Sequence, residues 1–591
     1  PFWFWNYKRW EKQRMVNVTI NNIPIAVKEG TTIMEAAEKA GIYIPHLCYL
    51  KEINEIGACR LCCVEVEGES HLVPACDNIV SEGMKITTNS KRVRAACRAN
   101  LHLIMSEHHA DCTHCARNLN CQLQKLASDF DILRSRYPDD LGLTINEKWN
   151  HHFPLIRDSS KCIKCMRCIQ VCDKVQSMKV WDLVGTGSRT RIGVARNFSI
   201  EQSDCTLCGQ CIVHCPVGAL REHDEISKLI FAIEKPDLVT VVQIAPAVRT
   251  AWGEAFGLSD KEATVNKLAA CLKKIGVDYV FDSCFSADLT IMEEGSEFLE
   301  RKKKGDLDEF PMFTSCCPGW VSFVKSQFPS LVPYLSTAKS PQQMFGAISK
   351  AYFAKKIGVP TSKVYCISIM PCLAKKSEAE LPNMVNHSGI RDVDLVLTTR
   401  ELIKLLKSEH VFPKNVDEIP FDSVLNQYSG AGVIFGTTGG VMEAALRTAA
   451  FVVTGKNPEP DAFDVLHTAK ITKEKPWRST TVSLPMGDVN IAVVSGLANA
   501  RKLCEAIIHK EVKYDFVEVM ACPGGCVNGG GQPINCDDVN KTDARAKILH
   551  KLDEKMPIRY SHENEDVKKL YEDFLGAPLG RKSEEILHVD H

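Results

Sequence analysis

Glu518-Val-Met-Ala-Cys522-Pro-Gly-Gly-Cys526-Val-Asn-Gly529-Gly-Gly-Gln-Pro533 is an apolar run that delivers two cysteines into a glycine-rich turn. Neither its spacing nor its flanks suit an ordinary zinc or ferredoxin loop. Two other segments share the character: Thr314-Ser-Cys316-Cys317-Pro-Gly-Trp320 and Met370-Pro-Cys372-Leu-Ala-Lys375. Each is short, hydrophobically flanked and far from the others along the chain. Such a pattern fits thiolates that folding brings together around one buried cluster.

Around these segments, from residue 236 onward, the texture is α/β. Strand-like apolar runs (Leu238–Ile244, Tyr279–Phe281, Val364–Met370, Ile491–Val494) alternate with helical stretches such as Ser340–Lys356 and Gly440–Ala450. Mostly parallel sheets built from βα units are expected. Gly430-Ala431-Gly432 and Thr437-Thr-Gly-Gly440 do not fit the dinucleotide fingerprint, so close backbone packing explains them better.

The 591 residues exceed what one core organises, so several domains are expected. Apolar residues at 45% and a formal net charge of −1 describe an ordinary globular chain with no global field for nucleic acid or anionic lipid. Arg301-Lys-Lys-Lys304 reads as a solvated helix end. No apolar stretch is long enough for a transmembrane helix, and no membrane partner is expected. The 27 cysteines fall into Cys-x-x-Cys clusters rather than an even disulfide framework, which indicates metal ligation in a reducing compartment.

Residues 1–14, with three of the eight tryptophans, read as an extension, tag-like sequence or targeting remnant. Residues 15–92 form a β-rich unit, with a hairpin around Asn21-Asn22 and a helix from Thr31 to Ala40. Its cysteines run Cys48-x10-Cys59-x2-Cys62-x13-Cys76. A close central pair flanked by two distant thiolates suits a 2Fe–2S cluster, although the first gap departs from the plant-type pattern; zinc is the competing reading. Neighbouring Cys63 should point away from Cys62 in an extended loop.

Residues 93–150 hold His108-His109-Ala-Asp-Cys112-Thr-His114-Cys115-x5-Cys121, one thiolate short of a 4Fe–4S set. Residues 151–235 repeat a motif: Cys162-x2-Cys165-x2-Cys168-x3-Cys172 and Cys205-x2-Cys208-x2-Cys211-x3-Cys215-Pro216. This is the two-cluster ferredoxin signature, in which the fourth Cys of each run ligates the other cluster. One set is therefore Cys162, Cys165, Cys168 and Cys215, and the other Cys205, Cys208, Cys211 and Cys172. Asp173 replaces the proline that usually follows the first run.

The three C-terminal segments resemble the signature motifs of iron-only ([FeFe]) hydrogenases, and the likeness extends over residues 15–591. It implies an enzyme of the large clostridial type that interconverts protons, electrons and dihydrogen. The implied architecture is multidomain α/β: a β-grasp ferredoxin-like domain (15–92), a His/Cys3 cluster domain (93–150), a two-cluster ferredoxin-like domain (151–235) and a catalytic domain (236–591). The implied cofactors are one 2Fe–2S cluster, three accessory 4Fe–4S clusters and the H-cluster, a 4Fe–4S cubane joined to a diiron unit with CO, CN and a bridging dithiolate. The first domain also looks like one in the large iron–sulfur subunit of respiratory complex I. In both families a histidine completes the three-cysteine cluster. His108 matches the family spacing, with His109 and then His114 as alternatives.

By the same resemblance Cys317, Cys372, Cys522 and Cys526 hold the cubane, with Cys526 bridging to the diiron unit. Lys375 and the backbone at Pro246-Ala247 face its cyanides, and Gln342, Met370 and Met520 line its pocket. A serine often stands where Ala247 is. Cys316 adjoins a ligand without being needed as one, and a thiol can pass a proton at modest cost. The family's relay continues through Glu294, Ser336, Glu297 and Arg301. From spacing alone, Glu294, Glu297 and Arg301 fit an exposed, salt-bridged helix face; the string Ile291-Met-Glu-Glu-Gly-Ser-Glu297 matches the family and favours the relay. Cys63, Cys97, Cys271, Cys284, Cys366, Cys504 and Cys536 remain as structural thiols.

The expected partners are a ferredoxin or similar small carrier and the maturation proteins that build the diiron unit. The alternative is the catalytic subunit of an electron-bifurcating complex, with NAD(P)H-oxidising subunits beside it. A cytoplasmic location is expected, or a hydrogenosome-like organelle if residues 1–14 are a targeting remnant. A non-enzymatic electron conduit or an assembly scaffold would leave the C-terminal motifs, Cys316, Lys375, Met370 and Met520 unexplained.

Overall fold

The computed structural model describes residues 14–133, 136–137, 149–459, 461–485, 487–537 and 539–591. Residues 1–13 of the expected extension lie outside the described residues. Strands Met15–Ile20 and Ile23–Lys28 pair antiparallel, with Val16 opposite Val27. The intervening Asn21 and Asn22 have φ of 47° and 67°, a left-handed pair that asparagine tolerates and that matches the twist of a hairpin. Helix Ile33–Lys39 opens on a capping box in which Thr32 and Glu35 satisfy each other's backbone donors, and it buries Ile33, Met34, Ala36 and Ala37. The sheet continues through Lys85–Thr87, Cys63–Val66 and Val73–Pro74.

Antiparallel strands Leu155–Arg157 and Leu220–Glu222 bring the start of the first cysteine run beside the end of the second. A hairpin, Trp181–Val184 with Arg191–Val194, lies between the runs.

Two four-stranded sheets follow. The first orders Tyr279–Asp282, Val239–Ile244, Val364–Met370 and Leu395–Thr398, all parallel. Its strands are buried almost throughout, as apolar runs covered by helices on both faces must be. The second orders Met312–Phe313, Phe516–Met520 and Gly487–Ser495 in parallel, with Arg478–Leu484 antiparallel at the edge. The stretch 341–356 runs as one helical path with a π-helical turn at Ser349–Phe353. The glycine-rich loops are packing devices. A Cβ on Gly440 would lie 1.9 Å from the Ile434 carbonyl oxygen, and one on Gly430 would lie 1.9 Å from Asp553 Oδ1. Among the described residues no helix is long and apolar enough to cross a membrane.

Pro246, Cys316–Cys317, Cys372 and Cys522 all follow the carboxyl ends of parallel strands. Open α/β sheets place their chemistry there.

Candidate active site and metal centres

The loops after the strands interlock. Gly531 N donates to Pro371 O at 2.8 Å, and a Cβ on Gly529 would come within 2.2 Å of that same oxygen, so only glycine fits. Ala521 N points at Cys317 Sγ at 3.4 Å. Cys522 lies in the electrostatic field of Cys372, Cys317 and Cys526. Burial pushes the Cys372 thiol up to about 12, and neighbouring Cys317 adds to the rise. Four soft donors crowded into a dry pocket cannot all ionise unless a metal compensates them. Among the described residues no three Cys, His, Asp or Glu groups gather tightly enough for a single ion. Four thiols facing one pocket are a donor set that suits a 4Fe–4S cluster.

Lys375 enters this pocket. Its Nζ donates to Cys316 O at 3.0 Å and to Glu378 Oε2 at 3.0 Å. Gln342 Nε2 donates to Glu378 Oε2 at 3.0 Å and Lys375 O at 3.2 Å, while its buried Oε1 has no partner. Met370 and Met520 end their strands buried, and Ala247 is buried with its carbonyl accepting Gln532 Nε2 at 2.8 Å. Pro246 opens a 3-10 turn over residues 246–250. Arg249 ties that turn down, donating to Asp282 Oδ2 at 2.5 Å and Pro246 O at 3.0 Å.

The helix Cys284–Lys304 is buried where the spacing alone suggested exposure: Glu294 is fully covered and Glu297 nearly so. Burial, and then the charge of Glu297, push the Glu294 carboxyl up to about 8. Neither of its oxygens has a hydrogen-bond partner. Burial and the nearby Glu294 also raise the Cys316 thiol. Ser336 Oγ donates to Glu297 Oε2 at 2.7 Å, and Arg301 Nη2 lies 2.6 Å from Glu297 Oε1. Ser336, Glu297 and Arg301 are thus linked directly, while Glu294 lies buried between them and Cys316 with no hydrogen bond of its own to either side. Sequence reasoning missed Glu378, whose position three residues after Lys375 was the available signal.

The accessory sets assemble as well. Cys48 contacts Cys59 and Cys76, and Cys76 contacts Cys62. Cys63 instead begins a strand paired with Pro74. His108, Cys112, Cys115 and Cys121 line one cavity, together with His109. His108 is half-buried with Nδ1 3.0 Å from Lys161 O, which leaves Nε2 for a metal. His109 is exposed, and His114 is turned to Asp111 at 2.9 Å. Cys162, Cys165, Cys168 and Cys215 line a second cavity. Cys172, Cys205, Cys208 and Cys211 line a third. The crossed pairing of fourth cysteines is the arrangement present. Of the seven leftover thiols, all are buried except the partly exposed Cys536.

These loops touch in series. Asn54 Nδ2 donates to both Cys48 O (2.7 Å) and Cys165 O (2.9 Å). The His108 bond to Lys161 joins the His-containing loop to the same run. At the other end Cys522 Sγ lies 3.8 Å from Cys208 O, and a Cβ on Gly209 would meet Gly530 Cα at 2.7 Å.

Family models match in the same order along the chain. They are a 2Fe–2S cluster binding domain (13–91), the NADH-ubiquinone oxidoreductase-G iron–sulfur binding region (98–136), a 4Fe–4S dicluster domain (161–219), the C-terminal domain of the iron-only hydrogenase large subunit (239–530) and the iron hydrogenase small subunit (539–591). The NADP-reducing hydrogenase subunit HndD of Solidesulfovibrio fructosivorans is 44% identical over 98% of this chain and 99% of its own. Iron hydrogenase 1 of Clostridium pasteurianum is 37% identical over 98% of this chain and all of its own length. The apo [FeFe]-hydrogenase HydA1 of Chlamydomonas reinhardtii superposes with a TM-score of 0.56 at 38% identity, covering 62% of this chain and 98% of the algal one. The chain belongs to the iron-only ([FeFe]) hydrogenase family: it is an oxidoreductase acting on hydrogen, with 2Fe–2S and 4Fe–4S clusters and a catalytic H-cluster.

Proposed function

We propose that the enzyme catalyses the reversible reduction of protons to dihydrogen, with electrons arriving through four accessory clusters from a ferredoxin-like carrier. The observation that carries this reading is the meeting of Cys317, Cys372, Cys522 and Cys526 with Lys375 and Cys316 in one buried pocket. These four thiols would hold the H-cluster, Cys526 among them on the side of the diiron unit. When bound, the H-cluster supplies low-valent iron with an open position, which protein ligands alone cannot provide. Lys375, the Pro246–Ala247 backbone and Gln342 orient it through hydrogen bonds, while Met370 and Met520 keep its pocket dry. Cys316 hands protons inward from Glu294, which burial holds as a neutral acid below about pH 8. Ser336, Glu297 and Arg301 connect Glu294 to the surface.

The 2Fe–2S set is Cys48, Cys59, Cys62 and Cys76, and His108 completes the set of Cys112, Cys115 and Cys121. Both abut the run that begins at Cys162, while the loop at Cys208 abuts Cys522. Domains at 15–92, 93–150, 151–235 and 236–591 follow from this division, and a cytoplasmic setting suits the free thiols.

A second reading has one specific support: a relative 44% identical over nearly its whole length is called a subunit of an NADP-reducing hydrogenase. On it the chain would work beside subunits that handle NAD(P)H, and those subunits would copurify.

An anaerobic infrared spectrum of protein matured with its assembly factors tests the main reading. Sharp metal carbonyl and cyanide bands that shift under hydrogen are expected. Their absence from fully iron-loaded, matured protein overturns it.

A further inference from the structure

Glu293 and Glu294 are neighbours on helix Cys284–Lys304, yet they serve different sides of it. Glu294 belongs to the proposed relay from Cys316. Glu293 is fully buried and accepts Tyr571 OH at 2.5 Å, Ser583 Oγ at 2.5 Å and Leu579 N at 2.9 Å. Burial works against its charge, but these donors together with His588 outweigh it and hold the carboxyl below its ordinary value. Glu293 is therefore a fixed carboxylate.

His588 Nε2 lies 3.1 Å from Glu293 Oε2, so the carboxylate keeps a proton on that nitrogen. The other ring nitrogen, Nδ1, lies 2.8 Å from Thr337 Oγ1. Thr337 Oγ1 is in turn 3.2 Å from Glu297 Oε1. The backbone fixes this geometry, because Val589 N donates to Thr337 O and Lys339 N to Leu587 O, both at 2.8 Å. The His588 side chain is 9% exposed, close to solvent without being open to it.

We propose that Thr337 and His588 form a branch of the proton relay in which His588 takes up the proton that leaves Glu297. The branch rests on the relay reading given above. In the transfer, the Glu297 Oε1–H proton passes to Thr337 Oγ1 while the hydroxyl proton of Thr337 passes to His588 Nδ1. One O–H bond breaks at Glu297, one N–H bond forms, and the threonine is restored with its hydroxyl turned towards the new carboxylate. Glu293 balances the imidazolium. The other charged groups around the branch are Arg301 on Glu297 and, in the adjoining segment, His591 and Asp590 near Lys325. Burial and then Lys325 push His591 down to about 4, so it does not titrate where an ordinary histidine does.

The test uses matured holoenzyme and hydrogen oxidation by a chemical electron acceptor between pH 5 and 8, the direction in which protons leave the site. Thr337→Val keeps the backbone bonds and the His588–Glu293 pair but removes the hydroxyl; His588→Gln removes the ring. Each is expected to slow turnover roughly three- to tenfold and to erase the same limb of the pH–rate profile, with KM for the acceptor and the infrared bands unchanged. The double variant should be no slower than the slower single. Wild-type pH profiles in both variants overturn the branch, as does loss of the limb in H588Q alone. Glu294→Gln separates the branch from the relay. A slow E294Q beside wild-type T337V and H588Q removes only the branch, whereas a wild-type rate in E294Q removes the relay and the branch with it.

Discussion

Lys375 Nζ donates to the carbonyl oxygen of Cys316 at 3.0 Å, binding the loop after one parallel sheet to the loop after the other. The same ammonium is 3.0 Å from Glu378 Oε2, and both side chains are nearly covered. Lys375 thus serves as a cation in a pocket of thiols and as the clamp across the seam between the sheets. Lys375→Met keeps the reach and removes the charge. Hydrogen turnover should fall about 10- to 100-fold, the worth of a charge-assisted hydrogen bond, and the carbonyl and cyanide bands should weaken. The paramagnetic signal of the cubane should persist, because its thiols are untouched. Glu378 is left buried without a partner, so the variant should also melt lower. Adding Glu378→Gln should restore melting without restoring turnover; recovery of turnover would mean that Lys375 acts only through Glu378.

Glu294 links the proposed relay to stability. Its folded value of about 8 stands above the ordinary 4.5, so the neutral acid is the form that the fold accepts. The linked stability is fully present below about pH 4.5 and is lost as pH rises towards 8. Glu294→Gln cannot ionise and lacks this loss. Wild type should therefore lose melting temperature relative to E294Q across that window, and turnover of E294Q should be lower by about 100-fold or more. Parallel melting curves at pH 5 and pH 8 would show that Glu294 is not held as a neutral acid.

Much of this was legible because iron–sulfur ligation is local. A loop must present three thiolates around one cluster, so Cys205, Cys208 and Cys211 announce themselves by spacing. The long apolar runs likewise marked parallel strands buried on both faces, and Asn21-Asn22 marked a hairpin. The relay helix was less legible, since Glu294, Glu297 and Arg301 share a face whether that face meets water or core. Burial was decided by helices and strands far along the chain. Least legible was the path from Glu297 through Thr337 to His588, which joins residues some 250 positions apart by a bridge that no local pattern encodes.

One side chain bonds both loops at the joint between the Cys48 loop and the Cys162–Cys172 run. Asn54 is fully buried, and its amide serves Cys48 O and Cys165 O at once. Asn54→Ala leaves two buried carbonyls without that donor, at a cost of about 1–3 kcal/mol. Reduction of the 2Fe–2S centre by hydrogen should slow, while isotope exchange between hydrogen and water, which needs no external electrons, should keep its wild-type rate. Slowing of both would place the defect in the catalytic unit instead.

Two glycines on neighbouring helices make opposite predictions. Gly440 opens helix Gly440–Thr454, where Gly439 N and Met442 N donate to the buried Glu518 carboxylate at 2.6 and 2.7 Å. A Cβ on Gly440 has no room, with the Ile434 carbonyl oxygen 1.9 Å away. Gly440→Ala must therefore move the helix start and pull those donors from Glu518, which burial has already pushed up to about 7. Gly295, inside Cys284–Lys304, meets nothing within 4 Å when a Cβ is built on it. There alanine only removes backbone entropy from the unfolded chain, a gain of about 0.5–1 kcal/mol. Anaerobic melting should show G440A lower by several degrees, or failing to accumulate, and G295A higher by roughly 1–3 °C. If G440A melts like wild type, the loop from Ile434 to Gly440 yields more easily than its packing implies, and Glu518 keeps its donors by some other route.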